Sequence, residues 1–129
     1  MFFKNRNNYQ NRIDTLIGAE TKLEGDIQFV GGLRVDGYIR GNVSESSSSC
    51  TLVLSESGHI EGAINVSHIV INGKVTGPVQ ANEYVELQTK ARVIGDVHYK
   101  ALEMHTGAVI EGNLIYVGEN EIKLLTNKD

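Results

Sequence analysis

This chain of 129 residues has no tryptophan, a single proline and a single cysteine. With Cys50 alone, no intrachain disulfide can form, so a disulfide-framed secreted fold is excluded and a reducing compartment suits the chain. No apolar run approaches the ~20 residues of a membrane-spanning helix, and the N-terminus lacks the apolar stretch of a signal peptide. The expected location is therefore the cytoplasm. Clustered positive charge is also scarce. The formal net charge is −4, and residues 14–129 hold nine basic residues against all sixteen acidic ones. Phosphate backbones are bound by clustered lysine and arginine, so this body argues against nucleic acid as a partner.

What the sequence has instead is a repeat. Six times it writes aliphatic-x-Gly-x-aliphatic, at Leu23–Ile27, Ile39–Val43, Ile60–Ile64, Val75–Val79, Val93–Val97 and Ile110–Leu114. The starts lie 16, 21, 15, 18 and 17 residues apart. Between them runs a second pattern, aliphatic-x-aliphatic, at Leu33–Val35, Leu52–Leu54, Ile69–Ile71, Val85–Leu87 and Leu102–Met104, spaced by 19, 17, 16 and 17 residues. Two ladders at one period of about 17 residues set the architecture. Alternation with period 2 predicts short strands with one buried face. Each unit is too short to hold a core alone, so the units must stack. The reading is an all-β, single-domain β-solenoid of about six rungs. Glycine stands at a corner where positive φ is needed. The column Leu23/Ile39/Ile60/Val75/Val93/Ile110 points inward, and Glu24, Arg40, Glu61, Thr76, Ile94 and Glu111 point outward. At ~4.8 Å per rung, six rungs make a rod core roughly 30 Å long.

Three segments follow. Residues 1–13 have no glycine and no alternation and read as a disordered tail. Lys4, Arg6 and Arg12 give that tail a charge of +3, and Phe2 and Phe3 sit at its tip. Met1, Phe2, Phe3, Lys4 and Arg6 together suit a membrane foot, with the rings in the lipid interface and the cations over anionic headgroups. The alternative is that the two rings dock on the protein's own body. Residues 14–117 form the solenoid, in which Thr15-Leu-Ile-Gly18 looks like a partial first rung. Ser44–Ser49 reads as a loop bulging from a corner, and Pro78, without an N–H, belongs at a corner as well. Residues 118–129 form a short tail in which Ile122-Lys-Leu124 weakly echoes the repeat.

Candidate chemistry is thin. His59, His68, His98 and His105 match no local zinc spacing and fall in different columns of the rung register, so no metal site is expected from them. Asn72-Gly73-Lys74 lacks the upstream glycine of a phosphate-binding loop, which removes support for a nucleotide. Cys50, beside the serine loop, has no partner base in sequence. No cofactor is called for.

A solenoid has unpaired strand edges over exposed aliphatic side chains at both ends unless a cap covers them, and no segment here reads as a capping helix. Leu16 and Ile17 at one end, and Leu114, Ile115 and Tyr116 at the other, are the expected contacts for further copies of the chain. Open ends on every subunit propagate into a filament.

Over residues 14–117 the chain resembles the bactofilins. The resemblance is carried by Thr15-Leu-Ile-Gly18, Leu23-Glu-Gly-Asp-Ile27, Leu33-Arg-Val-Asp-Gly37 with Ile39-Arg-Gly41, and Val109-Ile-Glu-Gly112, with Met1-Phe-Phe-Lys4 similar to the family's leading tail. It implies a right-handed, three-sided β-helix that forms nonpolar filaments without a nucleotide. It further implies a bacterial scaffold on the inner face of the cytoplasmic membrane, not an enzyme. Its partners would be copies of itself, anionic lipid, and cell-wall enzymes or membrane proteins concerned with shape, the wall or appendages. The chain departs from many relatives in its short tails and in having no proline-rich segment. Two rival readings stand beside this one. One is a left-handed β-helix enzyme of the acyltransferase or carbonic anhydrase type. The other is an adaptor that never polymerises.

Overall fold

The computed structural model describes residues 12–118. Every strand among them pairs in parallel, and together they wind a three-sided β-solenoid of six rungs. Taken rung by rung, the first side is built by Lys22–Glu24, Tyr38–Arg40, His59–Glu61, Lys74–Thr76, Arg92–Ile94 and Val109–Glu111. The second side runs from Ile27–Phe29 and Val43–Glu45 to Val97–Tyr99 and Leu114–Tyr116. The third is lined by Thr15–Ile17, Gly32–Val35, Thr51–Leu54 and Ala101–Met104. In the two central rungs, Ile64–Ile71 and Val79–Leu87 pass from the second side to the third without a break, which joins those sides into one sheet.

The register is the one the repeat spacing predicts. Ile39 pairs with Leu23 and with Ile60, Val75 with Ile60 and with Val93, and Val93 with Ile110. The second ladder stacks likewise, Leu33 on Leu52, Leu52 on Ile69, Ile69 on Val85, and Val85 on Leu102. Ile39, Leu52, Ile60, Ile69, Val75, Val85 and Val93 are wholly buried, and burying each such side chain contributes about 1.5–3 kcal/mol. Thr15–Ile17, read from sequence as a partial first rung, is a single third-side strand ahead of the first full rung, and it stacks on Leu33–Val35.

The corners have their own chemistry. At the glycine corner the following residue accepts from the next rung: Asp26 Oδ1 from the Asn42 N–H, Asn42 Oδ1 from the Ala63 N–H, and Asp96 Oδ1 from the Asn113 N–H, each at 2.9 Å. Ala63 offers no side-chain acceptor, and the residue stacked after it is Pro78, which has no N–H to give. Gly62 shows why the corner excludes a side chain: its φ is 152°, and a Cβ there would stand 2.1 Å from the Gly41 carbonyl oxygen.

The loop bulges from a corner but is shorter than the Ser44–Ser49 read from sequence: Ser44 and Glu45 belong to the strand Val43–Glu45, and Ser46–Ser49 bulge between it and Thr51–Leu54. It is anchored rather than loose. Glu45 Oε1 accepts the N–H groups of Cys50 at 3.2 Å and Ser67 at 2.9 Å, and Oε2 accepts the Ser67 hydroxyl at 2.8 Å and the Asn82 amide at 3.2 Å. Cys50 is buried beneath the loop.

Candidate functional site

The rod's features converge at its two ends. Within a column, burial is complete in the middle and fails at the terminal rungs: Ile39, Ile60, Val75 and Val93 have no exposed surface, whereas Leu23 is 36% exposed and Ile110 is half-buried. At the C-terminal end Met104, Leu114 and Tyr116 are 43%, 44% and 45% exposed, and half-buried Leu102 and Ile110 lie among them in the core columns. Among the described residues, Ala101–Met104, Val109–Glu111 and Leu114–Tyr116 each pair along one edge only. The N-terminal end is better covered, with Ile17 and Phe29 buried. There Asp14 accepts the Gly32 N–H at 2.8 Å, and this bond holds its carboxyl below the ordinary value.

The five end residues named from sequence divide by direction. Ile17, Leu114 and Tyr116 lie in inward columns, Leu114 in register with Val97 and Tyr116 with Tyr99. The Tyr99 and Tyr116 rings are 5.9 Å apart. Leu16 pairs with Arg34 and Ile115 with His98, which places both in outward columns. Their side chains leave the end faces and look sideways from the rod. Met1, Phe2, Phe3, Lys4 and Arg6 lie outside the described residues.

The sides are polar and locally neutralised. On the first side Arg40 sits between Glu24 at 3.9 Å and Glu61 at 3.8 Å. The Tyr38 hydroxyl donates to Glu61 at 2.5 Å, which raises the tyrosine and lowers the glutamate. Lys22 stands over the Tyr38 ring, whose other neighbour is His59 at 5.1 Å. A groove of about 700 Å³ on the third side is lined by Arg34, Asp36, Val53, Ser55 and Asn72 among others, and Arg34 is already paired with Asp36 at 2.9 Å.

His59 and His68 stand in the columns the register predicts, against Lys74 and Tyr84. His105 has company that the spacing of histidines alone does not reveal, because Glu86 and Glu103 converge on it. The signal in the sequence was the 17-residue step from Glu86 to Glu103, with His105 two positions on.

The family profile described as "Bactofilin: Polymer-forming cytoskeletal" matches residues 15–115. The chain belongs to the bactofilin family. This bactofilin is 33% identical over 101 residues to Bactofilin BacO of Myxococcus xanthus, and the match covers 78% of each chain. It is 28% identical over 101 residues to Bactofilin BacP of the same organism, covering 78% of this chain and 41% of that one. Among solved structures it matches a cryo-EM reconstruction of Thermus thermophilus bactofilin double helical filaments, with a TM-score of 0.69 and 28% identity over 80% of this chain and 99% of that one. Among its described residues, no helix is long and apolar enough to cross a membrane.

Proposed function

We propose that this bactofilin is a non-enzymatic scaffold whose rods join end to end into nonpolar filaments without a nucleotide. The carrying observation is the contrast within the core columns: complete burial at Ile39, Ile60, Val75 and Val93, and open surface at Leu23, Met104, Leu114 and Tyr116. Stacking a further rung on such a face would extend each column and pair the open strand edges, which contributes both apolar burial and hydrogen bonds. The filament structure of the Thermus relative supports this reading. Subunits whose ends are ready-made need no hydrolysis to switch them, so partners or supply of the protein would control turnover.

The filament is tethered to the inner face of the cytoplasmic membrane through Phe2 and Phe3, with Lys4 and Arg6 over anionic headgroups. One tail binds weakly, and a row of tails on a polymer binds through multivalency. On that surface the polymer gathers cell-wall enzymes or membrane proteins. Negative-stain microscopy and pelleting of the purified protein, free of nucleotide and metal, test the proposal. Filaments are expected, and they should sediment with anionic liposomes. A discrete, monodisperse particle at every concentration would refute the assembly, and filaments that ignore liposomes would refute the tether.

A further inference from the structure

We propose that Glu86, Glu103 and His105 form a binding site for a divalent cation of the zinc class, placed so that the ion ties together the last two strands of the third side. Glu86 and Glu103 are register partners in an outward column of the third side. Strand spacing holds such residues about 4.8 Å apart, and like charges directly in register repel. Elsewhere this column reads Leu16, Arg34, Val53 and Val70, so two carboxylates stack at this step alone among the described rungs. The Glu86 side chain is 18% exposed, which makes its charge harder to leave uncompensated.

His105 completes the set. Its N–H donates to the Leu87 carbonyl at 2.9 Å, and this fixes the backbone beside the pair. Its Nε2 lies 2.9 Å from Glu86 Oε2 and 3.3 Å from Glu103 Oε2, and the three ligand atoms all fall within 4.8 Å of one another. Ligand atoms about 2.0–2.2 Å from a zinc ion stand roughly 3–3.5 Å apart in tetrahedral or octahedral coordination. Both separations, the shorter of which is also a hydrogen bond, match a coordination edge.

Outer partners hold the carboxylates in this pose. The Tyr84 hydroxyl donates to Glu103 Oε1 at 2.8 Å and lies 3.4 Å from Glu86 Oε1, so it engages the oxygens that face away from the imidazole. Gln88 donates to Glu86 Oε2 at 3.2 Å. Supporting groups of this kind orient metal-binding carboxylates. The charges balance: two carboxylates meet one dication, with a neutral imidazole as the third ligand. His105 and Glu103 are 40% and 56% exposed, which leaves a coordination position open to water. Ligands come from two neighbouring rungs, so the ion acts as a clip on Ala101–Met104, which among the described residues pairs along one edge only.

The test uses the untagged full-length chain after dialysis against a chelator. Calorimetric titration with zinc chloride is expected to show one equivalent per chain with micromolar affinity. Cobalt(II) in the same site should give visible absorption bands with nitrogen and oxygen ligation. His105→Ala and Glu86→Gln should each weaken zinc at least tenfold, while His98→Ala leaves it unchanged. Glu103→Gln, which keeps a partner for Tyr84, guards against a folding defect, and circular dichroism of each variant checks the strand content. Hydrogen exchange should slow at Leu102–Met104 on adding zinc. Wild-type protein that binds no zinc below the millimolar range would overturn the proposal and leave the three residues a plain histidine–carboxylate ion pair. Binding that survives in the His105→Ala, Glu86→Gln double variant would overturn it equally.

Discussion

The carbonyl oxygen of Gly41 occupies space that a methyl group on Gly62 would need, 2.1 Å from the Cβ position. Gly25, the first glycine of the same stack, shares the positive φ at 128° but has nothing within 4 Å of its own Cβ position. Gly62→Ala therefore adds a backbone clash to left-handed strain, and a loss of about 3 kcal/mol or more is expected. Gly25→Ala carries the strain alone, roughly 1–2 kcal/mol. Urea denaturation of the two variants separates the terms, and equal losses would refute the role given to stacking.

The core should answer to parity. Leu52 is wholly buried and its neighbour Val53 faces outward. Leu52→Ala is expected to cost about 2–5 kcal/mol and Val53→Ala under about 1 kcal/mol, read from thermal or denaturant unfolding.

At the end face, Leu114→Arg and Tyr116→Arg put charge into columns that a further rung would bury. Each should abolish sedimentable polymer while circular dichroism still reports a folded rod. Ile115→Arg, directed sideways, should assemble normally. Long filaments from Leu114→Arg would move the contact elsewhere.

Deleting residues 2–6 should release the protein from anionic liposomes and leave filament length unchanged under the microscope. A deletion that still floats with liposomes would require a different membrane contact.

Asp14 supplies a pH test. The Gly32 N–H lowers its carboxyl from the ordinary 3.8, so this contribution to stability is present above that value and is lost as pH falls through the lowered folded value. A carbon-detected NMR titration should give a midpoint below 3.8, and the Gly32 amide should exchange faster once Asp14 is protonated. A midpoint at or above 3.8 would dismiss the bond.

Much of this molecule is legible in its sequence because a solenoid turns sequence spacing directly into spatial contact. Once Leu23, Ile39 and Ile60 are recognised as one column, their stacking follows, as do the outward places of Glu24, Arg40 and Glu61. What failed to show was direction where two apolar residues adjoin. In Thr15-Leu16-Ile17 hydropathy alone does not say which neighbour faces in, and pairing with Arg34 assigns Leu16 to the outside. In Leu114-Ile115-Tyr116 the repeat ending at Leu114 already carried the direction, and pairing with His98 agrees. Polar convergence was partly hidden. The 17-residue step puts Glu86 and Glu103 in one column, but that His105 turns onto both, and that Glu45 reaches Ser67 and Asn82, depends on side-chain rotamers that spacing does not carry.

The anchoring of Glu45 has one more consequence. A stack of near-identical rungs is a ruler without numerals, and a folding chain could lay one rung against the wrong neighbour with most aliphatic contacts kept. Glu45 accepts from Cys50, Ser67 and Asn82, which lie in its own rung and the next two. A slip by one rung would leave that half-buried carboxylate short of donors, at a cost of about 1–3 kcal/mol or more. The carboxylate thus acts as an index mark, and it gives an otherwise repetitive rod a single correct alignment.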